Sequence, residues 1–196
     1  MLASISPLGE RARRQSYPIT VFAFIATSTI AASLLGGLLG LIGAPISSAV
    51  GLVIIGAGAL AGLLLDLNAF GWRIPGPHRQ VNEDWLVRYR GWVYGAGFGA
   101  QLGVGVTTIV VASMTWLALG CALSAGSVVG GAIIGGTFGF ARALPILATA
   151  RVYDAASLRR LMGLLDHARR PATGATLVLQ AAIGLSALGV VAGRMA

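Results

Sequence analysis

The sequence predicts an all-α fold, a polytopic membrane helix bundle of about five transmembrane helices, and three observations predict it. Of the 196 residues, 56% are hydrophobic and 10% charged, with a mean hydropathy of +0.83, whereas an ordinary soluble domain carries roughly 25% charged residues. Segments 18–43, 47–67, 91–119, 124–148 and 174–193 are almost free of charge, and each has about the 20 residues that a helix needs to cross hydrocarbon. The fourteen basic residues, all arginine, are also unevenly placed: twelve lie in the N-terminal tail and in segments 68–90 and 149–173. By the positive-inside rule these three segments face the cytoplasm, so the expectation is an N-in, C-out protein in a bacterial cytoplasmic membrane. Arg194 is the one terminal charge on the other side.

The elements follow in order. The tail, 1–17, carries Arg11, Arg13 and Arg14 ahead of an uncharged run from Pro18 to Ser48. That run is too long for the roughly 7 to 15 apolar residues of a secretory signal, so a retained first helix is expected, opening a single membrane domain over 18–196. The uncharged connection "APISS" leads to the second span. In the loop 68–90, Asn82, Glu83 and Asp84 suit a helix start, and Trp85, Tyr89 and Trp92 suit an interfacial anchor for the third span. The uncharged "GCALSAG" is read as the outer turn before the fourth span. In the loop 149–173, Asp154 is a candidate N-cap, and Leu158, Leu161, Met162 and Leu165 share one face of a short amphipathic helix on the inner leaflet. The fifth span follows.

The first two spans are laid out like the next two, and "TSTIAASLLGGLLG" at Thr27 aligns with "TTIVVASMTWLALG" at Thr107. A tandem two-helix repeat with a fifth helix added is the expected arrangement.

Within the third span, "GAGFGA" matches the G-x-G-x-x-G/A pattern of dinucleotide-binding loops. That pattern needs a preceding strand, and here "DWLVRYRGWVY" precedes it. The glycines are better explained by packing. Gly95, Gly99 and Gly103 recur every four residues and share a helix face, as do Gly131, Gly135 and Gly139, the pair Gly36 and Gly40, and the pair Gly58 and Gly62. Small faces let helices approach closely in lipid.

A few residues exceed a packing explanation. Arg142 and Asp66 lie near the inner ends of the fourth and second spans, where they could pair, and a charge inside a span is a functional candidate unless it snorkels to the interface. Thr27, Thr107, Thr108 and Gln101 belong to a band of uncharged polar groups that either lines a path or bridges helices. Pro145 can break the fourth span and free a carbonyl. His78 and His167 stand alone, no nucleophile has a matched base, and Cys121 is the single cysteine. No catalytic site, cofactor or metal is expected. The scattered arginines do not form a nucleic-acid face.

The glycine-rich hairpins, and "GFGAQLGVGVTT" followed by "GGTFGFARALP" in particular, resemble the cytochrome c biogenesis/thiol-disulfide transmembrane family (CcdA/DsbD-like), relatives of LysE-type exporters. That resemblance implies a membrane carrier scaffold. The intramembrane cysteine pair that it implies is absent, with Thr27 to Thr29 and Thr107 to Thr108 in its place. The expected function is transport or export of a small solute or ion. The alternatives are a structural or assembly subunit of a membrane complex, and a thiol-redox relay in which Cys121 works with a partner's cysteine. Expected partners are the lipid bilayer and either further copies of the chain or other membrane proteins.

Overall fold

The computed structural model describes residues 5–67, 88–105 and 113–195, and every described element is a helix. In chain order these are α1 (Pro7–Ala12), α2 (Tyr17–Ile42), α3 (Ser48–Asp66), α4 (Gly91–Val104), α5 (Met114–Ser124), α6 (Val128–Ala143), a 3-10 helix (Leu144–Arg151) and α7 (Ala155–Met195). Four helical stretches are long and apolar enough to cross a membrane: α2, α3, α6 together with its 3-10 extension, and α7. The exterior is apolar. Phe22, Leu34 and Val178 are each at least 70% exposed, whereas Thr20, Ser28 and Gln180 are fully buried, an inverted distribution suited to a hydrocarbon solvent.

Helix α2 is the axis of the bundle because glycines on two neighbours let their backbones reach it. Gly95, Gly99 and Gly103 of α4 lie against Thr20, Phe24 and Ser28, in parallel register. Gly131, Gly135 and Gly139 of α6 lie against Gly36, Ala32 and Ser28, in antiparallel register. A Cβ on Gly99 or Gly135 would overlap a carbonyl oxygen of α2. Helix α3 packs antiparallel to α7, with Gly56 beside Leu188 and Gly184 beside Leu60. Gly62 meets Ser113, but Gly58 has open space around it, so those two do not form one packing face.

Several expectations change. The third span, read as one helix over 91–119, is interrupted: α4 ends at Gly105, whose φ of 77° takes the backbone out of the helix, and α5 resumes at Met114. With 14 and 11 residues, neither half reaches the roughly 20 needed to cross alone. "GCALSAG" is mostly helical, so Cys121 sits within α5 and the turn falls at Gly126, with a φ of 62°. Most of the expected loop 149–173 belongs to α7, which runs 41 residues with Pro171 inside it, so the amphipathic segment and the fifth span are one helix. The tandem repeat meets an asymmetry, since α2 is unbroken where α4 and α5 are two pieces.

The N-terminal tail is packed rather than free. Ser6 caps α1 by accepting from the Gly9 amide at 3.2 Å, and Ile5 joins Val21, Phe24, Tyr94, Phe98, Ala143 and Ile146 in the apolar core at that end of the bundle. Asp154 caps α7 as expected: its carboxylate accepts from the Ser157 amide at 2.6 Å, and Ser157 Oγ accepts from the Asp154 amide at 3.2 Å. The helix-start residues Asn82, Glu83 and Asp84, the anchor Trp85, and His78 lie outside the described residues.

Candidate functional site, a broken helix with charged groups at both ends

The two ends of the interrupted helix lie side by side. A Cβ on Gly105 would come within 3.1 Å of both Thr115 Cγ2, on the first turn of α5, and Arg142 Nη1. Gly103, two residues earlier, rests on Ser28. Ser28 lies roughly 17 Å from one end of α2 and 21 Å from the other at 1.5 Å per residue, so the break falls near mid-length of α2, the axis of the bundle.

Each end has a charged group suited to it. The helix dipole leaves partial negative charge at the carboxyl end of α4 and partial positive charge at the amino end of α5. Arg142, near the end of α6, donates through Nη1 to the Gly105 carbonyl at 3.5 Å and lies 5.8 Å from the Phe138 ring centre. Asp66, the last residue of α3, stands at the other end. Its Oδ1 accepts from the Ser113 amide at 3.1 Å, and its Oδ2 accepts from Ser113 Oγ at 2.7 Å and from Gln180 Nε2 at 3.0 Å.

Asp66 and Arg142 therefore bracket one break instead of forming an ion pair with each other. The one ion pair among the described residues joins Arg13 to Glu10. The sequence singled out both charges as candidates, but the partners of Asp66 lie 47 and 114 residues away.

Gln180 is the second notable group. It is fully buried, and its Nε2 also donates to Ser113 Oγ, while its Oε1 is buried with no hydrogen-bond partner. A flipped amide would direct that oxygen at the Asp66 carboxylate, so the orientation is fixed by the hydrogen bonds. A buried acceptor without a donor costs about 1 to 3 kcal/mol.

The remaining candidates are placed as follows. Thr27 Oγ1 donates to the Ala96 carbonyl of α4 at 2.9 Å and to its own Ala23 carbonyl at 2.7 Å, which bridges helices. Ser28 does the same toward α6, donating to the Gly139 carbonyl at 3.0 Å. Gln101 is half-buried on α4. Pro145 lies in the first turn of the 3-10 helix, where the α-helical ladder of α6 stops. Thr107 and Thr108 lie outside the described residues. His167 contacts only its own helix through the Gly163 carbonyl at 2.8 Å, and no group of three metal-ligating side chains occurs among the described residues.

A second polar cluster had no signal in the sequence. Glu10 is fully buried although it belongs to the tail. Its carboxylate accepts from Tyr94 Oη, from Thr20 Oγ1 at 3.0 Å and from Arg13 Nη2 at 2.9 Å. Gln15 Oε1 accepts from the Gly91 amide at 2.9 Å at the start of α4. These contacts tie the tail to the entry of α4. All partners of the carboxylate are donors, so its role is to fix that junction.

Comparison with known proteins places the chain beside two curated relatives. Methylamine utilization protein MauF of Methylophilus methylotrophus is 34% identical over 132 residues, which is 65% of this chain and 46% of that protein. The protein of the same name from Methylobacillus flagellatus is 33% identical over 131 residues, with the same two shares. The chain thus spans about half the length of the curated relatives it matches. No family profile and no solved structure matches it. These names correct the resemblance to the CcdA/DsbD-like and LysE-type families. That resemblance rested on glycine spacing, which any closely packed membrane bundle shares.

Proposed function

We propose that this chain is a five-pass protein of a bacterial cytoplasmic membrane, in which α4 and α5 together make the third pass, and that it carries a small polar solute through the break between them. The observation that carries the reading is the helix interruption near mid-depth with Asp66 at one end and Arg142 at the other. Irregular backbone in hydrocarbon is tolerated where protein or a water-filled cavity satisfies it, and interrupted helices are a recurring way of building midplane solute sites. The segregated arginines support an N-in, C-out orientation. The relatives' shared name supports a place in the cell's use of methylamine.

A second reading, an assembly subunit, is favoured by one observation. The first half of α7 is largely exposed, including Leu164 at 69%, with Arg159, Arg160, Arg169 and Arg170 beside it. Such a face suits a membrane-associated partner.

Flux separates the two. Purified protein in liposomes should release a small polar tracer faster than empty liposomes do, and Asp66→Asn should slow release while keeping the protein monodisperse. Equal flux in protein-containing and empty liposomes would favour the assembly reading.

A further inference from the structure

We propose that Asp66, Ser113 and Gln180 form a binding site for a small monovalent cation that donates hydrogen bonds, an ammonium ion or a small protonated primary amine. The inference rests on the transport reading for its location and names the class of solute. The site offers a carboxylate, a hydroxyl and a carboxamide oxygen gathered where α3, α5 and α7 meet. Gln180 Oε1 is fully buried and lacks a donor, although the same amide's nitrogen is bonded to both Asp66 and Ser113. Among the described residues no cation lies on Asp66; its partners are an amide, a hydroxyl and a carboxamide. An N–H-bearing cation would give the orphaned oxygen a donor and the carboxylate a positive charge at once, whereas a neutral or anionic solute would do neither. Asp66 is half-buried. Gly62 lets Ser113 close on α3: a Cβ there would fall 2.6 Å from Ser113 Oγ and 3.5 Å from Gln180 Nε2.

The test is thermal unfolding of the purified full chain in detergent at constant ionic strength, in ammonium, methylammonium, sodium or choline chloride. Ammonium and methylammonium should raise the melting temperature in a saturable way over choline, and sodium should do so much less. Apparent affinity should fall at least about tenfold in Asp66→Asn, the loss of one charge-assisted contact, and Asp66→Glu, which keeps the carboxylate, should retain the ammonium-specific increment. Asp66→Glu also guards against a folding defect in Asp66→Asn. Equal melting in all four salts, an unchanged increment in Asp66→Asn, or equal stabilisation by sodium would each overturn the assignment. Saturable ammonium stabilisation without flux in liposomes would keep the site and reject transport. Flux of a neutral tracer without ammonium stabilisation would keep transport and reject the site.

Discussion

Glu10 shows how a single residue can escape a reading of the sequence. It stands among arginines in an apparently solvated tail, yet it is fully buried, and its partner Tyr94 is 84 residues away. No local pattern encodes such a contact. Glu10→Ala would take the carboxylate from Tyr94, Thr20 and Arg13, and removing one member of a buried charged cluster costs about 3 to 5 kcal/mol. Partial exposure of Arg13 places the expected loss at the lower end of that range, measurable by unfolding in detergent; an unchanged stability would mean the tail does not dock. Asp154 is the opposite case, because its partner lies three residues on, within the reach of a capping pattern. The Ser157 amide and then its hydroxyl hold the Asp154 carboxyl below the usual value of 3.8. A group with a lowered folded pKa contributes stability that is present above its ordinary value and lost as pH falls through the folded one. Wild-type protein should therefore lose more melting temperature than Asp154→Asn between about pH 5 and pH 2.5, and parallel curves would remove the cap from the account.

At the scale of elements, the glycine faces were legible because a spacing of four residues fixes a helix face whatever the neighbour. Gly95, Gly99, Gly103, Gly131, Gly135 and Gly139 all meet α2. Spacing cannot say whether a neighbour is present, which is why Gly58 was misplaced. Gly135→Ala should destabilise by about 1 to 3 kcal/mol through overpacking against the Ala32 carbonyl. Gly58→Ala should be neutral or stabilising by up to about 1 kcal/mol, since alanine favours the helix. Equal effects on folded yield and melting temperature would contradict the packing register. The break at Gly105 was not legible. The stretch around it is uncharged and has no proline, and hydropathy does not register a residue's backbone hand. Gly105→Ala should cost about 1 to 2 kcal/mol for placing a Cβ in a left-handed conformation, beyond the crowding against Arg142 and Thr115. A variant as stable as wild type would mean that the helix can run on through this point.

For the molecule as a whole, composition and charge placement were sufficient for an apolar helical bundle because both are sums over many residues. The end of α4 at Gly105 and the continuity of α7 were hidden because each depends on a few local conformations. Cys121 lies within α5, away from the break's hydrogen bonds, and Cys121→Ser should leave folding and flux unchanged. That background permits the most direct test of the central claim, a polar break inside the bundle. Asp66 and Leu64 are two residues apart on α3 and so at nearly the same depth, but Asp66 points into the Ser113 and Gln180 cluster while Leu64 is 44% exposed on the apolar surface. In intact membranes, Asp66→Cys should react with a small hydrophilic thiol reagent at least about tenfold faster than Leu64→Cys, because ionisation of the thiol and access by the reagent both require water. Equal slow reaction at both positions would contradict a water-accessible break, and equal fast reaction would place this end of α3 at the membrane surface.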